Sequence, residues 1–196
     1  MKRIGILVIV LATFIAVANA QNAKSILDRT AEILSNKGGI TAKFSISGQQ
    51  AGTLAFKGRA FHASTPQAVI WFDGTTQWTY MKNNEEVNIS KPDRNKQQMM
   101  NPYNFIMIYK AGYRYTAKAI GNSYQVHLTS TDARRNIKEM YITVGKKTYI
   151  PSQIRILQNK TWTTIDISNF KKANLNASTF KFNSKEYPNA EIIDLR

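Results

Sequence analysis

Residues 68–81 read Ala-Val-Ile-Trp-Phe-Asp-Gly-Thr-Thr-Gln-Trp-Thr-Tyr-Met, and this stretch decides the fold class. Two short runs rich in β-branched and aromatic residues, Ala68–Phe72 and Thr75–Met81, flank Asp73-Gly74. Both central residues of a two-residue type I′ turn need positive φ, which Asp-Gly tolerates, so the stretch predicts a β-hairpin. The period of two continues outward in both directions. Phe44/Ile46, Leu54/Phe56, Trp78/Tyr80, Val87/Ile89, Tyr113/Tyr115, Val126/Leu128, Met140/Ile142, Ile154/Ile156 and Ile165/Ile167 alternate with Lys, Gln, Thr, Ser or Asn. That is the pattern of strands with one apolar face. Turn signals stand between them at Gly48, Asn83-Asn84, Gly121-Asn122, Gly145 and Asn159-Lys160. Pro151, inside Tyr149–Leu157, predicts an edge position or a bulge, because proline brings no amide hydrogen to the ladder. About ten or eleven short strands at this spacing predict a mainly β protein built on a large antiparallel sheet, sandwich or barrel.

Two segments break the period. Ala23, Ile26, Leu27, Thr30, Ile33 and Leu34 fall on one face at helical spacing, and Gly38-Gly39 supplies a stop. In mid-chain, polar Pro92–Gln98 gives way to Met99-Met100-Asn101-Pro102-Tyr103-Asn104-Phe105-Ile106-Met107-Ile108-Tyr109-Lys110. Asn101 suits an N-cap, Pro102 the first helical position and Gly112 the stop. A helix apolar on nearly every side is normally buried, so this one is expected against or inside the sheet.

Composition narrows the function classes. The 196 residues suit one domain with a sizeable core, and nothing reads as an interdomain linker. The absence of Cys excludes disulfides, thiolate metal sites, Cys nucleophiles and a lipid-modified N-terminal Cys. Two widely separated His argue against a His-built metal centre. Lys2 and Arg3, the apolar run Ile4–Val17 and then Ala18-Asn19-Ala20 have the layout of a cleaved secretory signal peptide over residues 1–20, with the mature single domain at 21–196. An exported chain without Cys points to a bacterial periplasm. Loss of Lys2 and Arg3 lowers the formal charge from +15 to +13, a balance suited to anionic surfaces.

Catalytic signatures are sparse. His62 and His127 both lie in strand-like segments, and no nucleophile elbow, zinc-protease motif or phosphate loop is present. Glu85-Glu86 would point to opposite faces of a strand. Asp73, Asp132, Glu139 and Asp166 are the acids from which a carboxylate pair could assemble in space. Arg134-Arg135 with Lys138, and Lys146-Lys147, read as solvated loop tips, and no nucleic acid, metal or cofactor is expected. What stands out is the apolar supply: nine Phe, nine Tyr, three Trp and six Met. These fill an ordinary core or, if a long sheet curves, line a pocket for acyl chains. Met99, Met100 and Met107 are adaptable packers suited to the second case.

The whole mature chain resembles the LolA-like periplasmic carriers of outer-membrane lipoproteins. The resemblance rests on the opening amphipathic helix, the strand Ile40–Gly48 and Gly52-Thr53-Leu54-Ala55-Phe56-Lys57. It continues through Ile70–Tyr80 with its Asp73-Gly74, Asn101-Pro102-Tyr103-Asn104-Phe105 at the place of a lid helix, and Ala177–Asn183 as a closing F-x-F strand. It implies an unclosed half-barrel of about eleven antiparallel strands, with an N-terminal helix and a mid-chain lid helix over a concave apolar face. The acyl-chain cavity so implied takes Phe44, Ile46, Leu54, Phe56, Trp78, Tyr80, Val87, Ile89, Tyr113, Tyr115, Val126, Leu128, Met140 and Ile142. The lid takes Met99, Met100, Phe105, Ile106, Ile108 and Tyr109. Arg59 best matches the family's lid-gating arginine, although Ala60 stands where the family has Pro and Phe61-His62-Ala63 lacks its Trp. The implied function is a non-enzymatic, monomeric, cofactor-free carrier. It would take acylated lipoproteins or other lipids from an inner-membrane release complex to an outer-membrane acceptor. A module on the same half-barrel that senses lipids or lipoproteins, or binds glycolipids, is the alternative, with a secreted hydrolase behind it.

Overall fold

The computed structural model describes residues 22–47, 50–92 and 107–196. Residues 22–34 form helix α1. Ala23, Ile26, Leu27, Thr30 and Leu34 are buried as their spacing predicts, joined by Ala31, while Ile33 is half-buried. Thr30 is tolerated in that stripe because its hydroxyl donates to the Ile26 carbonyl at 2.9 Å. On the solvent side Lys24 pairs with Asp28 one turn on, at 2.7 Å.

Twelve strands follow: β1 Ile40–Ile46, β2 Gln50–Lys57, β3 Ala60–Ser64, β4 Ala68–Phe72, β5 Gln77–Met81, β6 Glu86–Ser90, β7 Tyr113–Ile120, β8 Ser123–Ser130, β9 Ile137–Gly145, β10 Pro151–Gln158, β11 Thr161–Lys172 and β12 Glu191–Asp194. They make one sheet in the order β12-β6-β5-β4-β3-β2-β1-β11-β10-β9-β8-β7. The order does not return on itself, so the sheet is unclosed. It is antiparallel apart from β12, which runs parallel to β6. β12 was not among the expected strands, because its Glu-Ile-Ile-Asp carries no alternation to read.

The described residues fall into two compact units. The first holds residues 22–30 and 108–163, with β7–β10. There Tyr115, Leu128, Met140 and Ile156 stand in register across four strands, and Ala117, Val126, Ile142 and Ile154 form the next row. Cross-strand partners share a face, and Val126, Leu128, Met140 and Ile142 are wholly buried on this one. Pro151 opens β10 opposite Val144 with a register shift before Gln153, which fits the bulge, one of the two expectations for this proline, and not the edge position. The second unit holds, of the described residues, 31–47, 50–92, 107 and 164–196, with β1–β6, most of β11, and β12.

Two local expectations change. The Asp73-Gly74 connection is a longer loop, and β5 starts at Gln77 rather than Thr75. Asp73 Oδ1 accepts from the amides of both Thr75 and Thr76 at 2.9 Å, so the side chain takes donors a tight hairpin would give to the ladder. Gly74, at φ +104°, provides the left-handed step. The left-handed pair of a two-residue turn occurs instead at Asn159 and Lys160, with φ of 49° and 64°. Ala177–Asn183 is no closing strand either: Ala177–Phe180 is a 3₁₀ turn that buries Phe180. Its two Phe serve as plugs on a sheet face, which needs no alternation. Among the described residues no helix is long and apolar enough to cross a membrane.

Candidate functional site

The second unit carries a sheet face that is apolar yet incompletely covered. Register sets its members. Ile46 pairs with Ile165 and Phe44 with Ile167 across β1–β11. Ala42 pairs with Leu54, Leu54 with Ala63, and Ala63 with Ile70 across β1–β4. Phe44, Ile46, Leu54, Ile70, Ile165 and Ile167 thus share one face, and all six are half-buried. Beside them Ile40, Phe56, Phe61 and Phe72 are buried and form the floor. Gly52 pairs with Phe44. A Cβ there would lie 2.7 Å from Phe44 Cζ and 2.4 Å from the Ser64 carbonyl oxygen. Only glycine lets the Phe44 ring lie across β2.

Of the fourteen residues expected to line one cavity, eight belong to this unit, and those eight divide between its two faces. Phe44, Ile46, Leu54 and Phe56 lie on the half-buried face. Trp78, Tyr80, Val87 and Ile89 project from the other side of the same unit: Trp78 pairs with Trp71, and Trp71 with His62. Tyr80 pairs with Val69 and Val87, and Trp78 with Ile89. Alternation shows which residues are apolar but not which way they point: β4 is apolar on both sides, and β5 and β6 on the side away from Phe44. The C-terminal segment explains why. Phe182 and Tyr187 set their rings 5.6 and 5.5 Å from Trp71, and Tyr187 lies 4.6 Å from Tyr80. These residues seat the chain's own C-terminal segment. On that side an open groove of about 300 Å³ is lined by Thr41, Lys43, Thr53, His62 and Lys171 among others. Ala42, Leu54 and Ala55 also line it, so its walls mix apolar side chains with two lysines. Burial lowers the His62 pKa, keeping the ring neutral.

The remaining six, Tyr113, Tyr115, Val126, Leu128, Met140 and Ile142, lie together on the apolar face of the first unit and pack as core. Ile108 and Tyr109 fall in a 3₁₀ turn, Ile108–Lys110. Tyr109 is buried, its ring edge-on to Tyr115 at 6.1 Å and its hydroxyl donating to Asp28. Lys24 and Tyr109 together hold the Asp28 carboxyl below its usual range. Met99, Met100, Phe105 and Ile106 lie outside the described residues. Arg59 is exposed in the two-residue turn between β2 and β3, behind Gly58. Ile70, Ile165 and Ile167 complete the apolar face without having been assigned to a site. The signal was present for the last two, which alternate on β11, but only the β1–β11 register joins them to Phe44.

Among the described residues, several of the polar groups weighed for hydrolysis are engaged locally. His127 lies 3.0 Å from Glu139 and 3.4 Å from the Thr129 hydroxyl, but both contacts use Nε2. A relay needs the hydroxyl and the carboxylate on different ring nitrogens. Asp132 is taken up by Arg134 and Asp73 by its own loop. Among the described residues no three His, Asp or Glu gather as metal ligands.

A family model described as outer membrane lipoprotein carrier protein LolA matches residues 11–160. The chain belongs to the LolA family. Its fold is also that of an uncharacterized conserved protein from Thermus thermophilus, at 15% identity and TM-score 0.61 over 88% of this chain and 99% of that one. Other similar structures are a LolA superfamily protein from Nitrosomonas europaea (13% identity, TM-score 0.47, 82% of this chain and 97% of that one) and the lipoprotein LppX from Mycobacterium tuberculosis (6%, 0.47, 80% and 98%). No curated protein matches. The family is described as one of outer-membrane lipoprotein carriers, and lipoprotein sorting of that kind lies outside the cytoplasm.

Proposed function

We propose that this protein is a periplasmic carrier that binds the acyl chains of lipoproteins and moves them from the inner to the outer membrane, after cleavage of residues 1–20. The observation that carries this reading is the half-buried set Phe44, Ile46, Leu54, Ile70, Ile165 and Ile167, aligned by register on one face of a LolA-family sheet. Six large apolar side chains left partly in water on one face are costly unless something covers them. An acyl chain fits, because it is apolar along its length and needs no polar partner. The carrier accepts its cargo from an inner-membrane complex and passes it to an outer-membrane acceptor, with no chemical step. Arg59 acts on the mid-chain segment 99–109 to gate access.

Native mass spectrometry on protein from the periplasm, followed by lipid extraction, tests this. Co-purifying acylated lipid in the parent, lost in Leu54→Asp and kept in the exposed control Lys171→Gln, supports the carrier. A lipid-free mass that also takes up no fluorescent acyl probe overturns it.

A further inference from the structure

One end of the first unit has the makings of a membrane-docking rim. The β7–β8 turn, Gly121-Asn122, and the β9–β10 turn after Gly145 lie side by side there, and the Lys146 amide donates to the Asn122 carbonyl at 2.9 Å. The two tips are therefore tied into one edge. Ile120, at the tip of β7, is 45% exposed and one of few large apolar side chains left so open among the described residues. On the other face of the ladder, where its partner is Ala119, Tyr124 stacks on Tyr149 at 6.3 Å. Lys146 sits over the Tyr124 ring at 5.6 Å and Arg29 over the Tyr149 ring at 5.0 Å. Tyr149 itself holds a left-handed backbone, φ +53°, rare for an aromatic residue. It is fixed by its amide on the Gly145 carbonyl at 2.8 Å and by Arg29 Nη1 donating to its hydroxyl at 3.0 Å. Lys147 is exposed alongside.

Charge in this unit is segregated. Its described residues hold twelve Lys and Arg against three Asp and Glu. The acids are engaged elsewhere: Asp28 with Lys24 and Tyr109, Asp132 with Arg134 in the β8–β9 loop, Glu139 with His127. None lies at the two tips. An exposed aliphatic side chain, tyrosines and uncompensated cations at one edge is the composition that settles at a bilayer surface. The cations answer anionic headgroups, the rings lie at headgroup level, and the aliphatic tip enters the acyl boundary.

We propose that the rim formed by Ile120, Tyr124, Tyr149, Arg29, Lys146 and Lys147 docks this protein on an anionic lipid bilayer. The inference goes beyond the carrier reading and stands apart from it, since the rim uses none of the residues of the half-buried apolar face. An acidic protein would answer the cations but gives Ile120 no role.

The test is sedimentation of the full mature protein with phosphatidylcholine vesicles, with and without phosphatidylglycerol, over a salt series. Binding is expected only to the anionic vesicles, weakening with salt. Each lysine removed from the surface costs about 5-fold in partitioning, so Lys146→Gln with Lys147→Gln should weaken binding by about 30-fold. Ile120→Ser should weaken it with the salt dependence unchanged. Arg134→Gln with Lys138→Gln, at the opposite end, should bind as the parent does. Circular dichroism melting checks that every variant is folded. The inference is overturned if the rim variants bind like the parent, or if the opposite-end variant loses as much. It is also overturned if Ile120→Ser has no effect while soluble polyglutamate competes fully, the outcome expected of a surface for an acidic protein. Uptake of an acyl probe, measured on the same variants, should not change. Loss of vesicle binding and loss of acyl binding are therefore separate failures.

Discussion

Gly52→Ala is a one-carbon change whose cost can be worked from the structure. The added Cβ would sit 2.4 Å from the Ser64 carbonyl oxygen and 2.7 Å from Phe44 Cζ. The ring can swing away, but the oxygen belongs to the β2–β3 ladder, where Thr53 pairs with Ser64. Relief therefore requires the two strands to part by several tenths of an ångström. Overpacking of this kind costs about 1–3 kcal/mol. Replacing Gly by Ala within a strand returns about 0.5–1 kcal/mol of backbone entropy. The net expectation is a loss of about 1–2 kcal/mol, or about 2–8 °C in Tm for a chain of this length. Urea unfolding at constant m-value measures it. Repeating it in a Phe44→Ala background separates the two contacts. If Ser64 carries the cost the loss is unchanged, and if the ring carries it the loss falls by more than half. A Gly52→Ala protein as stable as the parent would refute the reasoning, and with it the claim that Phe44 lies across β2.

Leu128→Ala, at a wholly buried position, should cost about 2–5 kcal/mol in the same assay, because the rows formed with Tyr115 and Met140 leave little room to collapse. Tyr187→Ala should red-shift tryptophan emission without loss of strand signal in circular dichroism, since it removes a ring covering Trp71 and Tyr80 but no ladder bond. Tyr109→Phe acts through Asp28, whose carboxyl is held low first by Lys24 and then by the Tyr109 hydroxyl. A depressed folded-state pKa gives stability that is present above the unfolded value, near 3.9, and lost as pH falls through the folded value. The variant should therefore raise the Asp28 pKa toward the ordinary range, seen by NMR titration, and lose part of the stability the parent gains above pH 4.

Much of the fold was legible because period and punctuation are local. The stripe from Ala23 to Leu34, the bulge at Pro151 and the turn at Asn159-Lys160 depend on residues within a few positions of one another. Direction was harder to read. Phe44 and Trp78 look alike in sequence, each aromatic and each alternating with polar neighbours, yet they project from opposite faces. What separates them is the C-terminal segment around Phe182 and Tyr187, about a hundred residues from Trp78, which covers one side of β4–β5. The Asp73 loop and β12 were missed for related reasons. A side-chain oxygen competing for backbone amides alters turn length without altering composition, and a four-residue strand has too few positions to show a period. Joining Ile165 and Ile167 to Phe44 and Ile46 required the β1–β11 register, a pairing across more than a hundred residues.

The half-buried state of the apolar face sets how firmly it can hold a guest. A fully desolvated C16 chain gains on the order of 12 kcal/mol at about 0.8 kcal/mol per methylene. A chain laid on Phe44, Leu54 and Ile167 is covered on one side, so roughly half of that, about 6 kcal/mol, comes from the face before ordering costs. That corresponds to dissociation constants of tens of micromolar or weaker, too loose for a journey between membranes but well suited to handover. Tight carriage then needs a second surface over the chain, and removing that surface is what releases it. On this account no single side chain of the face dominates. Leu54→Ala removes part of one contact among six and should raise the Kd of a fluorescent acyl probe about 5-fold, equivalent to about 1 kcal/mol. A loss of a thousandfold from that change alone would mean an enclosed, keyed pocket in place of an open face, and the argument from partial exposure to easy release would fall with it.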